Sequence, residues 1–260
     1  MDRELTICDI IRHYSAHYGE YSFDGSPTMW SEMKEIRQYY EDYVNSMNPS
    51  YTIEDIIRMC VRGLYKTWHQ RRVKEDSIKE AVENIIKESF TTYFGVHQTL
   101  LVGKRKRIFD QFNDFEELYE AVKQLIGHIN GIGYVTIYDT ARRIGYLLRK
   151  PIIPCAYVYL HYNKVNKAAQ SIIGRKLKYR EPALIFFPYF CSFPSIEIED
   201  LLCIYSDEFV TISEDEKEED IVKHSRNINW RKTHLNDFLN RMNSILTKRT
   251  VPEKWNEFKK

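Results

Sequence analysis

Two runs of helical spacing meet at a pair of glycines, and this joint constrains the chain more than any other feature. The first run places Leu118, Val122, Leu125, Ile126 and Ile129 on one face, and the second places Ile137, Ala141, Ile144 and Leu148 on one face. Between them the sequence reads "INGIGYVT". Asn130 and Gly131 are expected to end the first helix, since glycine takes the left-handed conformation that closes one. Ile132 is a single apolar plug, Gly133 leaves the backbone uncovered, and Thr136 is expected to cap the second helix. Two antiparallel helices with a short connection follow, so the expected fold is mainly α: a helical bundle, with a short β or irregular segment after the hairpin. The amides of Gly133, Tyr134 and Val135 then lie at the positive end of a helix, a ready place for a phosphate. The same pattern also fits a tight αα-hairpin that binds nothing.

A chain of 260 residues holds one large domain, or one domain and a smaller appendage. Its 43% hydrophobic and 29% charged residues are those of a soluble globular protein. No apolar run reaches the length of a membrane helix, and "MDRELTICDIIRHYS" does not resemble a secretory signal. Five scattered cysteines without a C-x-x-C read as reduced thiols of a cytoplasmic protein, and the eight dispersed histidines lack an H-E-x-x-H. Neither a metal nor another cofactor is expected.

Helical spacing runs through most of the N-terminal half. "MWSEMKEIRQYYEDYV" and "KEDSIKEAVENIIKESF" carry it, Ser50 or Thr52 is a plausible cap for "IEDIIRMCVRGL", and no strand alternation of any length precedes Pro151. "LLVGKRKRIFDQF" reads as a loop with a basic knuckle, and "LYKTWHQRRVK" is a second basic segment. Past the hairpin, "IIPCAYVYLHY" reads as a short strand or buried turn, and Gly174 suits the end of a helix over "NKVNKAAQSII". "REPALIFFPYFCSFP" is expected to wrap irregularly, and Ser195 to open a further helix. The expected organisation is a helical region over 1–206 with the hairpin at about 116–148, an acidic linker over 207–222, and an amphipathic C-terminal helix and tail over 223–260.

Net charge is only +1, but its sign is segregated. From Thr140 to Arg180 there is no acid and there are ten Lys or Arg, whereas Glu197 to Asp220 holds eleven acids and one Lys. A basic block beside a glycine hairpin points to a polyanion. "INGIGYVT" resembles the helix-hairpin-helix motif, an apolar residue followed by x-G-[IV]-G-x-x-T-A, with Ile137 where a small alanine is usual. The resemblance implies a grip on duplex DNA through backbone phosphates, without sequence reading. Gly131, Gly133, Tyr134, Val135 and Thr136 would form it, with Arg142, Lys164, Lys167, Arg175 and Lys176 as cationic support.

A looser likeness extends further. In the helix-hairpin-helix DNA glycosylase superfamily, a segment resembling V-D-T-H-[IV]-x-R-V-x-N-R follows the hairpin. Here "VYLHYNKVNK" aligns Val158, His161, Lys164, Val165, Asn166 and Lys167 with it. The likeness implies an enzyme that flips a damaged or modified base and hydrolyses its glycosidic bond. Two departures bear on that. Val135 stands where some members carry an amine nucleophile, and Tyr159 stands where the catalytic Asp belongs, so another carboxylate must stabilise the cation-like transition state. Asp139 is the first candidate, with His161 and Asn163 as hydrogen-bonding partners of the base; Asp24, Glu199 and Asp200 are others. Each has an ordinary structural role open to it, such as a pairing of Asp139 with Arg143 on an exposed helix face. The alternative to an enzyme is a non-catalytic DNA-binding subunit of a repair or genome-defence assembly, in which the C-terminal helix meets a protein partner.

Overall fold

A computed structural model describes residues 7–17, 29–64, 73–190 and 193–210. The protein is mainly helical with small sheets. The described residues fall into two compact units: Ile7–His17 with those from Pro154 onward, and Met29–Ile153. No helix among the described residues is long and apolar enough to cross a membrane.

The Met29–Ile153 unit contains helices α2 (Met29–Asn45), α3 (Ile53–Arg62), α4 (Glu75–Lys87), α5 (Phe115–Ile126) and α6 (Tyr134–Leu147). Thr52 caps α3 in a full capping box with Asp55. Asp114 caps α5 through the Glu117 amide. Between α4 and α5 lie two short antiparallel hairpins that helical spacing did not reveal: β1 (Ser89–Thr91) with β2 (His97–Thr99), and β3 (Leu101–Val102) with β4 (Arg107–Ile108). The basic knuckle is the exposed turn of the second hairpin, and Arg105 reaches back to donate to Val44 O at 3.0 Å.

Helix α6 packs against α2, α3 and α5, so nearly its whole circumference is covered. All four apolar residues read from the sequence (Ile137, Ala141, Ile144, Leu148) are buried, and Thr140, Arg142 and Arg143 are buried with them. Gly145 permits one of these close approaches. A Cβ there would stand 2.4 Å from the carbonyl oxygen of Ile152 and 3.1 Å from Leu118, while the Ile152 amide already donates to Gly145 O at 3.1 Å. The backbone neighbour cannot rotate away. Gly145→Ala is therefore expected to destabilise by about 1–3 kcal/mol, against about 1 kcal/mol of improved helix propensity. A lower urea midpoint with an unchanged slope would show it.

The other unit contains α1 (Ile7–His17), β5 (Tyr157–Tyr159), α7 (Asn163–Ile173), β6 (Arg180–Pro182), α8 (Phe187–Phe190) and α9 (Ser195–Ile204). β5 pairs antiparallel with β6, setting Val158 opposite Glu181. Gly174 ends α7 in the left-handed conformation at φ 75°, as its position suggested. "ALIFFPYF" wraps as a 3-10 turn followed by α8. Ile10 and Tyr14 of α1 share one core with Val158, Val165, Phe186, Leu201, Tyr205 and Phe209. Where a linker was expected from residue 207, residues 206–210 are helical, and Glu208 and Phe209 are buried. The remainder of that linker, the C-terminal helix, most of "LYKTWHQRRVK" and Asp24 lie outside the described residues.

Candidate nucleic-acid interface

The connection between α5 and α6 is longer than the glycine pair suggested. Helix α5 stops at Ile126, its cap Gly127 keeps a right-handed conformation, and residues 127–133 form the turn. Asn84 of α4 closes that end by donating to Leu125 O at 3.2 Å, and it lies 3.3 Å from His128 Nε2. Gly131 is the residue at positive φ, 88°. Ile132 is buried as the expected plug, and its amide donates to Ile129 O at 3.1 Å. From the opposite side Ser77 of α4 donates to Asn130 O at 2.7 Å, which fixes the turn from outside.

Gly133, not Thr136, stands at the cap of α6, and no side chain covers it. Thr136 lies in the first turn, where its carbonyl accepts from Thr140 Oγ1 at 2.6 Å. The first amide that α6 bonds to itself is that of Ile137, to Gly133 O at 3.1 Å. A helix offers no internal acceptor to the amides before that point. Asn130, Gly131, Gly133 and Tyr134 are exposed, Val135 and Thr136 are half-buried, and a Cβ built on Gly133 meets nothing within 4 Å. The corner faces outward.

Its charge surroundings are mixed. Glu75 and Asp76 open α4 two residues and one residue before Ser77. Glu75 is neutralised by Arg62 at 2.7 Å and by Arg58, both from α3.

Inside the unit lies a charged network that the sequence assigned to the surface. Glu32 of α2 and Arg143 pair at 2.8 Å with side chains 6% and 2% exposed. The other Glu32 oxygen accepts from the Leu64 amide at 2.7 Å, and Arg143 donates to Cys60 O at 3.0 Å. Cys60 O is one of the last carbonyls of α3, which have no donor within the helix, and Leu64 is the residue just past its cap Gly63. Asp139 meets Arg142 at 3.1 Å and Arg143 at 4.0 Å, and Arg142 also lies over the Tyr138 ring. The pairing of Asp139 with Arg143 is thus real, but on a buried face. Arg142 is not offered to a ligand at the surface either. Beside them burial pushes the Cys60 thiol up to about 12, although Arg143 opposes the shift, so it is not a thiolate near neutral pH.

The remaining candidates belong to the other unit. His161 lies between the rings of Tyr159 and Tyr179, at 5.4 and 5.8 Å. Tyr159, where a catalytic Asp would stand, is buried in β5. Asn163 and Lys164 begin α7 and are exposed, as are Lys167, Arg175 and Lys176. Lys164 reaches Asp207 at 3.6 Å, and Arg175 reaches Glu181 at 3.4 Å. Glu199 is buried in α9, which packs against both β5 and α7. The acid-free block of the sequence is therefore divided: Arg142 and Arg143 are interior, and Lys164 to Lys178 lie on the surface of a separate unit. No family model, curated protein or solved structure matches the chain.

Proposed function

We propose that the protein binds duplex DNA along its sugar–phosphate backbone at the α5–α6 turn, without reading base sequence. One observation carries this: an outward-facing helix start whose cap, Gly133, has no side chain, held by the buried Ile132 on one side and by Ser77 on the other. Exposed cations of the same unit, including Lys104–Lys106, would supply the salt-dependent part of the affinity. Fluorescence anisotropy of a labelled duplex tests the reading. The logarithm of the binding constant is expected to fall with the logarithm of salt at a slope of about −2 or steeper, with little difference between unrelated sequences. A flat salt response would remove the reading.

Excision of a damaged or modified base is a second reading, favoured by Glu199. This buried carboxylate is carried by a helix packed on β5 and on α7, the elements that flank His161 and, in α7, carry Asn163. Asp139, committed to two arginines, supports a structural role instead. Alkali-sensitive strand breaks on a panel of damaged duplexes, lost in Glu199→Gln and kept in Asp139→Asn, are the expected result if the chain is an enzyme. Absence of breaks on every substrate would leave a binding module without catalysis.

A further inference from the structure

The loop of the β1–β2 hairpin reads Thr92-Tyr93-Phe94-Gly95-Val96. The Thr92 amide donates to Val96 O at 2.8 Å, the Gly95 amide donates to Thr92 O at 2.9 Å, and Gly95 has φ 75°. This is a three-residue hairpin loop, a turn closed by a left-handed glycine, and its two central positions are Tyr93 and Phe94. Turn positions more often hold small or polar residues, such as Gly, Pro, Asn, Asp and Ser. Here they hold two aromatic rings, 89% and 82% exposed, set edge to face at 5.7 Å, with Val96 exposed beside them.

The loop is not a loose one. Phe90, one strand residue from the tip, is buried and stacked on Phe112 at 5.7 Å. Thr91 is held from both sides by Gln124, which accepts from its amide at 2.8 Å and donates to its carbonyl at 3.3 Å. Gln124 stands two residues before the end of α5, where the turn to Gly133 begins. The aromatic tip and the turn that leads to Gly133 are thus fixed to the same end of one helix, within one compact unit.

We propose that Tyr93 and Phe94 form a base-stacking tip that gives the protein a preference for DNA whose base stack is already open, as at a gap or a fork. The inference rests on the backbone-binding reading above. The turn carries both rings past the end of the strands and into solvent, where the face of an unstacked base can meet them. Aromatic stacking on a base is sequence-tolerant and is worth roughly five- to 150-fold in affinity. Prising apart an intact step costs energy of similar size, so an intact duplex returns little net gain. At a gap the step is already open, and the stacking gain is realised in full.

The test compares a labelled intact duplex with the same duplex lacking one nucleotide, at one salt concentration, for the wild-type chain and for Tyr93→Ala/Phe94→Ala. Wild type is expected to bind the gapped form at least about fivefold tighter. The double variant, whose changes lie at exposed positions, is expected to bind both forms with the wild-type affinity for intact duplex. Phe94→Trp, which retains a stacking ring, is expected to keep the preference and to show, beyond whatever the four native tryptophans of the wild type give, extra indole quenching with the gapped form only. Equal wild-type binding to the two forms overturns the inference and leaves the backbone reading standing; a tip that serves a protein partner would give that result. An equal loss on both forms in the double variant also overturns it. If the wild type binds neither form, the backbone reading fails and this inference fails with it.

Discussion

Arg143→Met is expected to cost about 3–5 kcal/mol of folding stability, the largest effect of any single substitution considered. The reason lies in what it leaves behind. Glu32, 4% exposed, would keep its charge in the interior without the guanidinium that pairs with it, and the Cys60 carbonyl near the end of α3 would lose the Arg143 donor. Adding Glu32→Gln is expected to recover most of the loss, because a neutral amide still accepts from Leu64 and no uncompensated charge remains. Asp139 retains Arg142 throughout. The cycle of wild type, two single variants and the double variant, read from urea midpoints, isolates the pairing energy. A cost below about 1 kcal/mol would mean that water reaches the pair, as it does at surface ion pairs.

Gly133→Val is expected to weaken DNA binding by about tenfold to a hundredfold while leaving the melting temperature nearly unchanged. Gly133 has φ −98° and ψ 173°, a conformation open to any residue, and a Cβ there meets nothing within 4 Å. Only a ligand approaching the amides would notice the new methyl groups. Gly131 is the contrasting position. At φ 88° it is confined to a region that L-residues avoid, so Gly131→Ala is expected to lose about 1–2 kcal/mol of stability. A Gly133→Val chain that folds and binds duplex as well as wild type would show that the corner is a turn and nothing more.

Much of this corner was legible in the sequence, and the illegible parts have physical causes. The apolar positions of α5 and α6 report burial directly, since a 3.6-residue period admits few alternatives over that length, and all of them are buried. Ile132 and the capping of α3 by Thr52 were legible for a similar reason: each is a local device with a local signature. Thr136 was misread as a cap because a glycine can hold that position while offering no side chain to recognise. Arg142 and Arg143 looked like surface cations because burial of a guanidinium depends on partners far along the chain, here Glu32. Strands of two or three residues are too short to display alternation, so the hairpins between α4 and α5 left no pattern. Tyr93 and Phe94 were invisible as surface residues, since aromatic side chains ordinarily signal core.

The order in which the chain leaves the ribosome gives its two units different histories. Everything from Met29 to Ile153 is contiguous and can collapse as soon as it is made. Helix α1 has no such opportunity, because the residues that bury Ile10 and Tyr14 extend to Tyr205 and Phe209. At ordinary elongation rates its apolar face waits on the order of 10–40 s for those partners. During that interval the face stays in water, and its docking is a late step in folding.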